Sequence, residues 1–525
     1  MKIRLFAAAL AAVMSLSLLT ACGDETDTKT TTTTEATTTT TEDVGTTTEE
    51  EETTTSADDE TTTVGKKTTT TKKPATTTSK KTYRTVNKNT TTTAATTGDS
   101  VNNVTEPTTT GSTTTTKKTV PPRQTKTTKN LDGIFPVKVE GNAEQRAAMI
   151  NNDLKGKQKV KIKSDRATVQ AHDHTGYAFN HHPDIAIMNG TIYVTYTQSE
   201  RHEDAPGQRV VVASSKDFFN WTDPIVCGPC TPNDLVPGTV TSNVPYGFYS
   251  WNGKLYMYWA ARRYGPDKFD KDGRFLTNGN LEGVDTVMLA TSTDGVNWTE
   301  PMPFANPPGR PRLSLTGKWY CHFGLGMAWM DYGEEPNGLS WDHYAQMSTA
   351  DRQDADKRVK ALSGVLTENS MFESPDNTFH IMTRSEAGYL WHHESLDNGE
   401  TWSGCYPTKF TSASSMWQFG NLPDCRVFGV GSSNIALGRY PLELWVSDDG
   451  INFDTCYILR DEYDLAHSPG EIFVPKGQNS HCYGWAKGGQ YGYPHYAMDD
   501  EYLYVAYSRY KEMMEITRVK LSDIL

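Results

Sequence analysis

One short pattern recurs four times in the second half of the chain, and it limits the possible folds more than any other feature. The copies are Ser215-Lys-Asp217-Phe-Phe-Asn-Trp221, Ser292-Thr-Asp294-Gly-Val-Asn-Trp298, Ser395-Leu-Asp397-Asn-Gly-Glu-Thr-Trp402 and Ser447-Asp-Asp-Gly450-Ile-Asn-Phe453. In such a turn the Asp side chain bonds backbone N–H groups, Gly takes the tight corner, and the aromatic packs beneath the hairpin. One Asp-Gly turn says little. Four, each entered from an apolar β-type run such as Val210–Ala213 or Val287–Ala290, point to radial repetition of a small antiparallel sheet. The expected fold is therefore all-β, a six-bladed β-propeller.

The stretch from Leu131 to Leu525 is rich in Tyr, Trp and Gly and long enough for six blades of about 65 residues each. Strand-like clusters fall near Asp184–Trp221, Tyr246–Trp298, Arg312–Gln346, Gly364–Trp402, Cys425–Phe453 and Tyr493–Val519, the third being the least regular. A short helix is expected over Asn142–Leu154, before the first blade, and Gln158–Lys163 is the expected strand that closes the ring against the last blade.

The first 130 residues read differently. Lys2 and Arg4 lead an apolar run from Leu5 to Leu19, closed by Thr20 and Ala21 and followed at once by Cys22. Leu19-Thr-Ala-Cys22 resembles the bacterial lipobox, which implies a signal peptide over 1–21, lipidation of Cys22, and a place on the outer face of a bacterial cell envelope. The run is below the usual spanning length of about 20 residues. Residues 22–130 are dominated by Thr with scattered Glu, Lys and Ser, and they offer almost nothing to bury, so a disordered tether is expected. A chain of that length reaches roughly 50 to 60 Å. Acidic residues in its first half nearly cancel basic ones in its second, so the formal net charge of −13 sits mostly on residues 131–525. An acidic domain without a basic stripe is not expected to bind nucleic acid.

Of the eight cysteines, seven follow Cys22, an odd number that does not indicate a disulfide framework. Cys227-Gly-Pro-Cys230 has redox spacing but follows a turn and precedes a Pro-rich loop, so a local disulfide or an inert loop is expected. His172-Asp-His174 lacks zinc-type surroundings, and no metal or cofactor is expected.

The four repeats look like Asp boxes, and other segments are similar to sialidases in the family's order. Glu368 and Arg384 bracket a stretch in which an acidic residue starts one strand and an Arg ends the next, just before the box at Ser395. Arg439 stands before the last box, Tyr493 precedes the final strands, and Asp204 lies on the first-blade loop that carries the sialidase acid/base Asp. The resemblance implies a glycan substrate, with Tyr493 as nucleophile, Glu368 as its base, Asp204 as acid/base, and Arg384 and Arg439 binding a substrate carboxylate. A neutral Tyr suits a sugar with a carboxylate on its anomeric carbon, because an anionic nucleophile would be repelled.

The first-blade motif departs from the family. His181-His182-Pro183 stands where sialidases have Arg-Ile-Pro, so His181 takes the place of the first clamp arginine, and His182 joins it as a candidate substrate contact. Loss of a charge-assisted bond worth roughly 1.5–3 kcal/mol weakens carboxylate binding without abolishing it. The leading expectation is a surface exo-sialidase-like hydrolase releasing a terminal acidic sugar. The alternatives are a polysaccharide lyase or another propeller hydrolase using His181 or His182, and a non-catalytic glycan-binding propeller.

Overall fold

The structure is a computed structural model that describes residues 140–171, 176–200, 203–229, 240–268, 286–305, 307–435, 439–462 and 491–524. The expected signal segment, Cys22, the Thr-rich tether, His172, His174 and Cys230 lie outside the described residues. Among those described, no helix is long and apolar enough to cross a membrane.

Among the described residues the architecture is all-β and consists of six sheets, five of four strands and one of five. Taken along the chain, the first sheet contains Phe179–Met188, Thr191–Ser199, Arg209–Ser215 and Ile225–Gly228, each strand antiparallel to the next. The second runs from Val240–Trp251 to Met302–Pro303, the third from Arg312–Leu313 to His343–Gln346, and the fourth from Leu366–Glu373 to Tyr406–Thr411. The fifth holds Gln418–Asn421, Val427–Gly431, Leu442–Ser447 and Phe453–Arg460, and the sixth Tyr491–Met498, Tyr502–Arg509 and Met513–Lys520. The third is the irregular one, as its sequence suggests. Its first strand has two residues, and the helix Thr349–Lys360, capped by Ser348, follows it.

The four repeats show how neighbouring sheets are locked. At Ser292–Trp298, Asp294 Oδ1 accepts the backbone N–H groups of Val296 and Asn297, both at 2.8 Å, and Asp294 Oδ2 accepts the Asn297 amide at 2.7 Å. Ser292 Oγ accepts the Gly295 N–H at 2.8 Å, and the Trp298 indole N–H donates to Gly295 O at 3.3 Å. Gly295 has φ 74°, and a Cβ there would lie 2.1 Å from Tyr193 Cε1 of the first sheet. The glycine thus allows both the left-handed turn and close approach of the neighbouring sheet. Gly399 likewise has φ 91° and meets Met327 of the third sheet. The first repeat has Phe218 at this corner with φ 73°, a costly conformation for a side chain that is offset by burial at 1% exposure beside Tyr504 of the sixth sheet.

Apolar clusters continue this order. Val210 and Val212 of the first sheet pack with Met257 and Trp259 of the second, and Trp251 meets Trp319 of the third edge-on at 4.8 Å. Met327 packs with Met371 and Ile381, Phe372 with Phe419 and Phe453, Leu444 with Leu503 and Val505, and Ile185 of the first sheet with Ala506 and Ile516 of the sixth.

Two N-terminal expectations need correction. The helix is only Ala143–Ala147, started by an Asn142 capping box, because Gly141 and Asn142 set its entry and nothing past Ala148 continues the ladder. Within Gln158–Lys163, Val160–Lys161 pairs in parallel with Tyr457 and Ile458 of the fifth sheet, not with the last sheet. The strand that joins the C-terminal sheet is Asp165–Gln170, antiparallel to Met513–Lys520. Its alternation places Ala167 and Val169 inward, whereas in the equally alternating stretch 159–163 Ile162 is buried against the fifth sheet and Val160 stays exposed, so periodicity alone does not select the partner. Cys227 is an unbridged thiol buried in the fourth strand of the first sheet, and burial pushes it up to about 12, which disfavours the thiolate that redox chemistry needs.

Candidate functional site

The first strands of the first and sixth sheets are both interrupted. Register shifts occur between His181 and Asp184 and between Gly492 and His495. At these bulges His182 has φ 50° and Tyr493 φ 55°, left-handed values that side chains rarely adopt. Bulges re-aim side chains, and strain of this kind concentrates at functional sites. The result is a cluster in which the Tyr493 ring meets His181 edge-on at 4.4 Å and His182 at 5.1 Å.

Glu368, near the start of Leu366–Glu373, and Arg384, near the end of the antiparallel strand Phe379–Ser385, share one end of the fourth sheet, as the spacing implies. The Tyr493 hydroxyl donates to Glu368 Oε1 at 2.6 Å. Arg384 Nη1 donates to both Glu368 oxygens, at 3.0 and 3.1 Å, and to the Tyr493 hydroxyl at 3.1 Å. Tyr493, Glu368 and Arg384 are thus in mutual contact. Burial opposes ionisation of Glu368, but the Arg384 charge and the bonds from Tyr493 and Thr367 hold its carboxyl below the usual range. Burial and the Glu368 charge push the Tyr493 phenol well above its ordinary value, with Arg384 and Arg439 opposing. The resting state is therefore a neutral phenol donating to a carboxylate, and an arginine stands ready to bond the phenolate oxygen.

Arg439 is buried, with its guanidinium 5.1 Å from the centre of the Tyr493 ring, a cation–π arrangement. His181 is fully buried. Its Nδ1 bonds Ser508 Oγ at 2.6 Å, its Nε2 has no hydrogen-bond partner, and burial lowers it well below the usual histidine range. His182 Nε2 bonds Glu203 Oε1 at 3.2 Å, and Glu203 is also paired with Lys511. Burial works against the Glu203 charge, yet Lys511 and His182 hold it well below the ordinary carboxylate value. Asp204 is buried at φ 57° and paired with Arg262 at 3.0 Å, so the residue that touches the histidine cluster is its neighbour Glu203.

A cavity of about 320 Å³ adjoins this cluster. The first strand of every sheet contributes to its wall: Asp184, Phe248, Arg312, Met371, Gln418 and Tyr493 are examples, one from each sheet. Glu368 and His182 also line it, along with three arginines, Arg262, Arg310 and Arg312. Arg384, Arg439, His181 and Asp204 stand behind that wall. Sequence reasoning missed Glu203, Arg262, Arg310 and Arg312. Only the Arg310-Pro-Arg312 step left a signal, two cations in a Pro-rich run leading into the third cluster of an acidic domain.

Among the described residues, two groups of side chains each hold their ligand-type atoms within 4.8 Å of one another: His181, His182 and Glu203, and His380, His392 and Glu394. Each abuts a cation already paired with its carboxylate, Lys511 in the first and Arg146 in the second. In the second, His380 Nδ1 bonds His392 Nε2 at 2.8 Å and His380 Nε2 bonds Ser374 Oγ at 2.9 Å, so the imidazoles are engaged with structure.

No curated protein matches the chain in sequence. Among solved structures, a protein of unknown function from Dyadobacter fermentans is similar at 16% identity and a TM-score of 0.45, over 69% of this chain and 98% of that one. The NanB sialidase from Streptococcus pneumoniae is similar at 13% identity and 0.42, over 67% and 70%. The Trypanosoma rangeli sialidase, in complex with 2,3-difluorosialic acid as a covalent intermediate, is similar at 12% identity and 0.42, over 69% of this chain and 59% of that one. The BNR repeat-like domain matches residues 190–505, from the first sheet into the sixth. Over that span, which is more than half of its length, the chain belongs to the BNR repeat-like domain family.

Proposed function

We propose that the six sheets are the blades of a β-propeller and that the protein is a sialidase-like glycoside hydrolase acting on a terminal acidic sugar. The propeller reading is supported by one cavity to whose wall the first strand of every sheet contributes, and by packing of the sixth sheet on the first. The hydrolase reading rests on one observation, the short contact from the Tyr493 hydroxyl to Glu368 with Arg384 bonded to both, at the wall of that cavity. In the proposed reaction Tyr493 Oη attacks the anomeric carbon, its proton passes to Glu368, and the bond to the leaving oxygen breaks as that oxygen takes a proton from Asp204. Arg384 and Arg439 hold negative charge on the phenolate side. Asp204 acts as donor only when its pair with Arg262 opens. Water, deprotonated by Asp204, then attacks the anomeric carbon, the bond to Tyr493 Oη breaks, and Glu368 returns its proton to the phenolate.

A fluorinated acidic glycosyl fluoride tests this reading, because it slows release of a covalent intermediate. Peptide mapping should find the sugar on Tyr493, and labelling elsewhere, or of Tyr493→Phe to the same extent, overturns the assignment. A second reading draws on His182, which lines the cavity and is held by Glu203. In that case His182 abstracts a proton next to a uronate carboxylate and Tyr493 protonates the leaving oxygen, and an unsaturated product absorbing in the ultraviolet distinguishes it. Surface attachment through lipidated Cys22 is part of the proposal. Cys22→Ser should move the protein from the membrane fraction to the medium, and continued membrane association refutes it.

A further inference from the structure

The charges around the cavity do not balance. Arg262 is paired with Asp204 at 3.0 Å and Arg384 with Glu368 at 3.0 Å. Arg310 lies 3.9 Å from Asp184 and donates to the backbone oxygens of Tyr496, at 2.8 Å, and Ile185, at 2.5 Å. Arg312 donates from Nη1 to Met371 O at 2.9 Å and is hydrogen-bonded to the Tyr320 side chain, and among the described residues it has no carboxylate partner. Both guanidiniums stand 5.8 Å from the centre of the Tyr496 ring. They flank one aromatic residue and face one cavity.

A guanidinium in a partly desolvated wall is costly unless an anion completes its environment, and a concave site concentrates that field. The chain as a whole carries a formal charge of −13, so this local positive excess runs against its average. His322 lies in the same wall, and its Nε2 is buried with no hydrogen-bond partner. Burial, then the Arg312 charge, lowers His322 to about 4, so it is a neutral group with an unused polar atom and not a second cation.

We propose that Arg312, held in place beside Arg310, is an oxyanion subsite that recognises the acidic group of the substrate on the third-sheet side of the cavity. The inference rests on the glycan-hydrolase reading but moves substrate recognition away from Arg384 and Arg439, which stand behind the wall. The ligand chemistry is an oxyanion carried on a sugar ring, either a uronate carboxylate or a sulfate ester. Both match the planar fork of an arginine, and lysine reproduces the charge without the fork.

Calorimetry on the full chain with glucuronate, galactose 6-sulfate and neutral galactose provides the test, and it needs no turnover. At low salt one of the two acids should bind at least about tenfold more tightly than galactose. Arg312→Ala should remove that preference and leave galactose binding unchanged, Arg312→Lys should keep part of it, and added salt should weaken it. The acid that responds identifies the oxyanion. Arg312→Gln retains a donor for Met371 O and covers the case in which the alanine variant fails to fold. Equal acid binding by wild type and a folded Arg312 variant overturns the subsite, as does the absence of acid binding by wild type. A preference lost in Arg439→Ala but kept in Arg312→Ala also overturns it and returns the anion to the tyrosine side. Labelling of Tyr493 is a separate readout, so failure of the subsite and failure of the hydrolase reading are distinguishable.

Discussion

Removing one oxygen from Tyr493 separates a catalytic tyrosine from a structural one. Tyr493→Phe deletes the donor to Glu368 at 2.6 Å and the acceptor of the Arg384 bond at 3.1 Å, while the ring keeps its contacts with His181 and His182. Glu368 is not left uncompensated. Both of its oxygens still receive Arg384, and Thr367 still donates to Oε2 at 2.7 Å. The structural loss is therefore chiefly the hydrogen bond to Glu368, about 1.5–3 kcal/mol, because the Arg384 Nη1 that loses the Tyr493 oxygen keeps both Glu368 oxygens as acceptors. A domain of ordinary stability, about 5–15 kcal/mol, remains overwhelmingly folded after that loss. Unfolding cannot then account for a large fall in rate. If Tyr493 is the nucleophile, kcat/KM on the best substrate in a panel of fluorogenic acidic glycosides should fall by about a thousandfold or more, with the melting temperature lowered by only a few degrees. The two quantities are measured on the same preparation. A variant that keeps kcat/KM within tenfold of wild type refutes the assignment, and a lowered melting temperature beside full activity marks Tyr493 as a packing residue.

Other expectations follow from the same contacts. Because Glu368 is held below the ordinary glutamate value of about 4.3, the acid limb of the kcat/KM profile should lie below that pH, and a limb near 6 would exclude Glu368 as the base. The repeat carboxylates Asp217, Asp294, Asp397 and Asp449 are all lowered on folding, Asp217 to about 2 by the Asn220 side chain and backbone N–H. Their stabilisation is complete above the unfolded aspartate value of about 3.9 and is lost as pH falls through the folded values. The melting temperature should thus fall between about pH 4 and 2, and Asp449→Asn should flatten part of that fall; an unchanged slope in the variant argues against the turns as its source. Arg146 ties the N-terminal helix to Glu394, which is 3% exposed, at 2.5 Å. Arg146→Ala should cost about 3 kcal/mol in denaturant unfolding, and a loss below about 1 kcal/mol would show that the pair contributes little.

What could be read from the sequence was what short-range chemistry encodes. The Ser-x-Asp turns with their glycine and aromatic positions are complete within seven or eight residues, so they gave the all-β class and located the clusters that became sheets. Glu368 and Arg384 were legible for the same reason, since they belong to two consecutive antiparallel strands whose short connection brings the end of the second beside the start of the first. Their contact with Tyr493, more than 100 residues away, was expected only through resemblance to a family, and it depends on a bulge that turns Tyr493 to φ 55°. The pairing of Asp204 with Arg262, the reach of Glu203 to His182 and the partition of arginines between the cavity wall and the layer behind it are also tertiary. The strand joined to the C-terminal sheet is another such case, because Gln158–Lys163 and Asp165–Gln170 both alternate apolar and polar residues, and their choice of partner depends on which edge is left unpaired and which side chains fit between neighbouring sheets. Local turns follow from residues in sequence contact, whereas pockets and charge balance follow from residues that meet only when six sheets pack, and no spacing in the chain encodes that meeting.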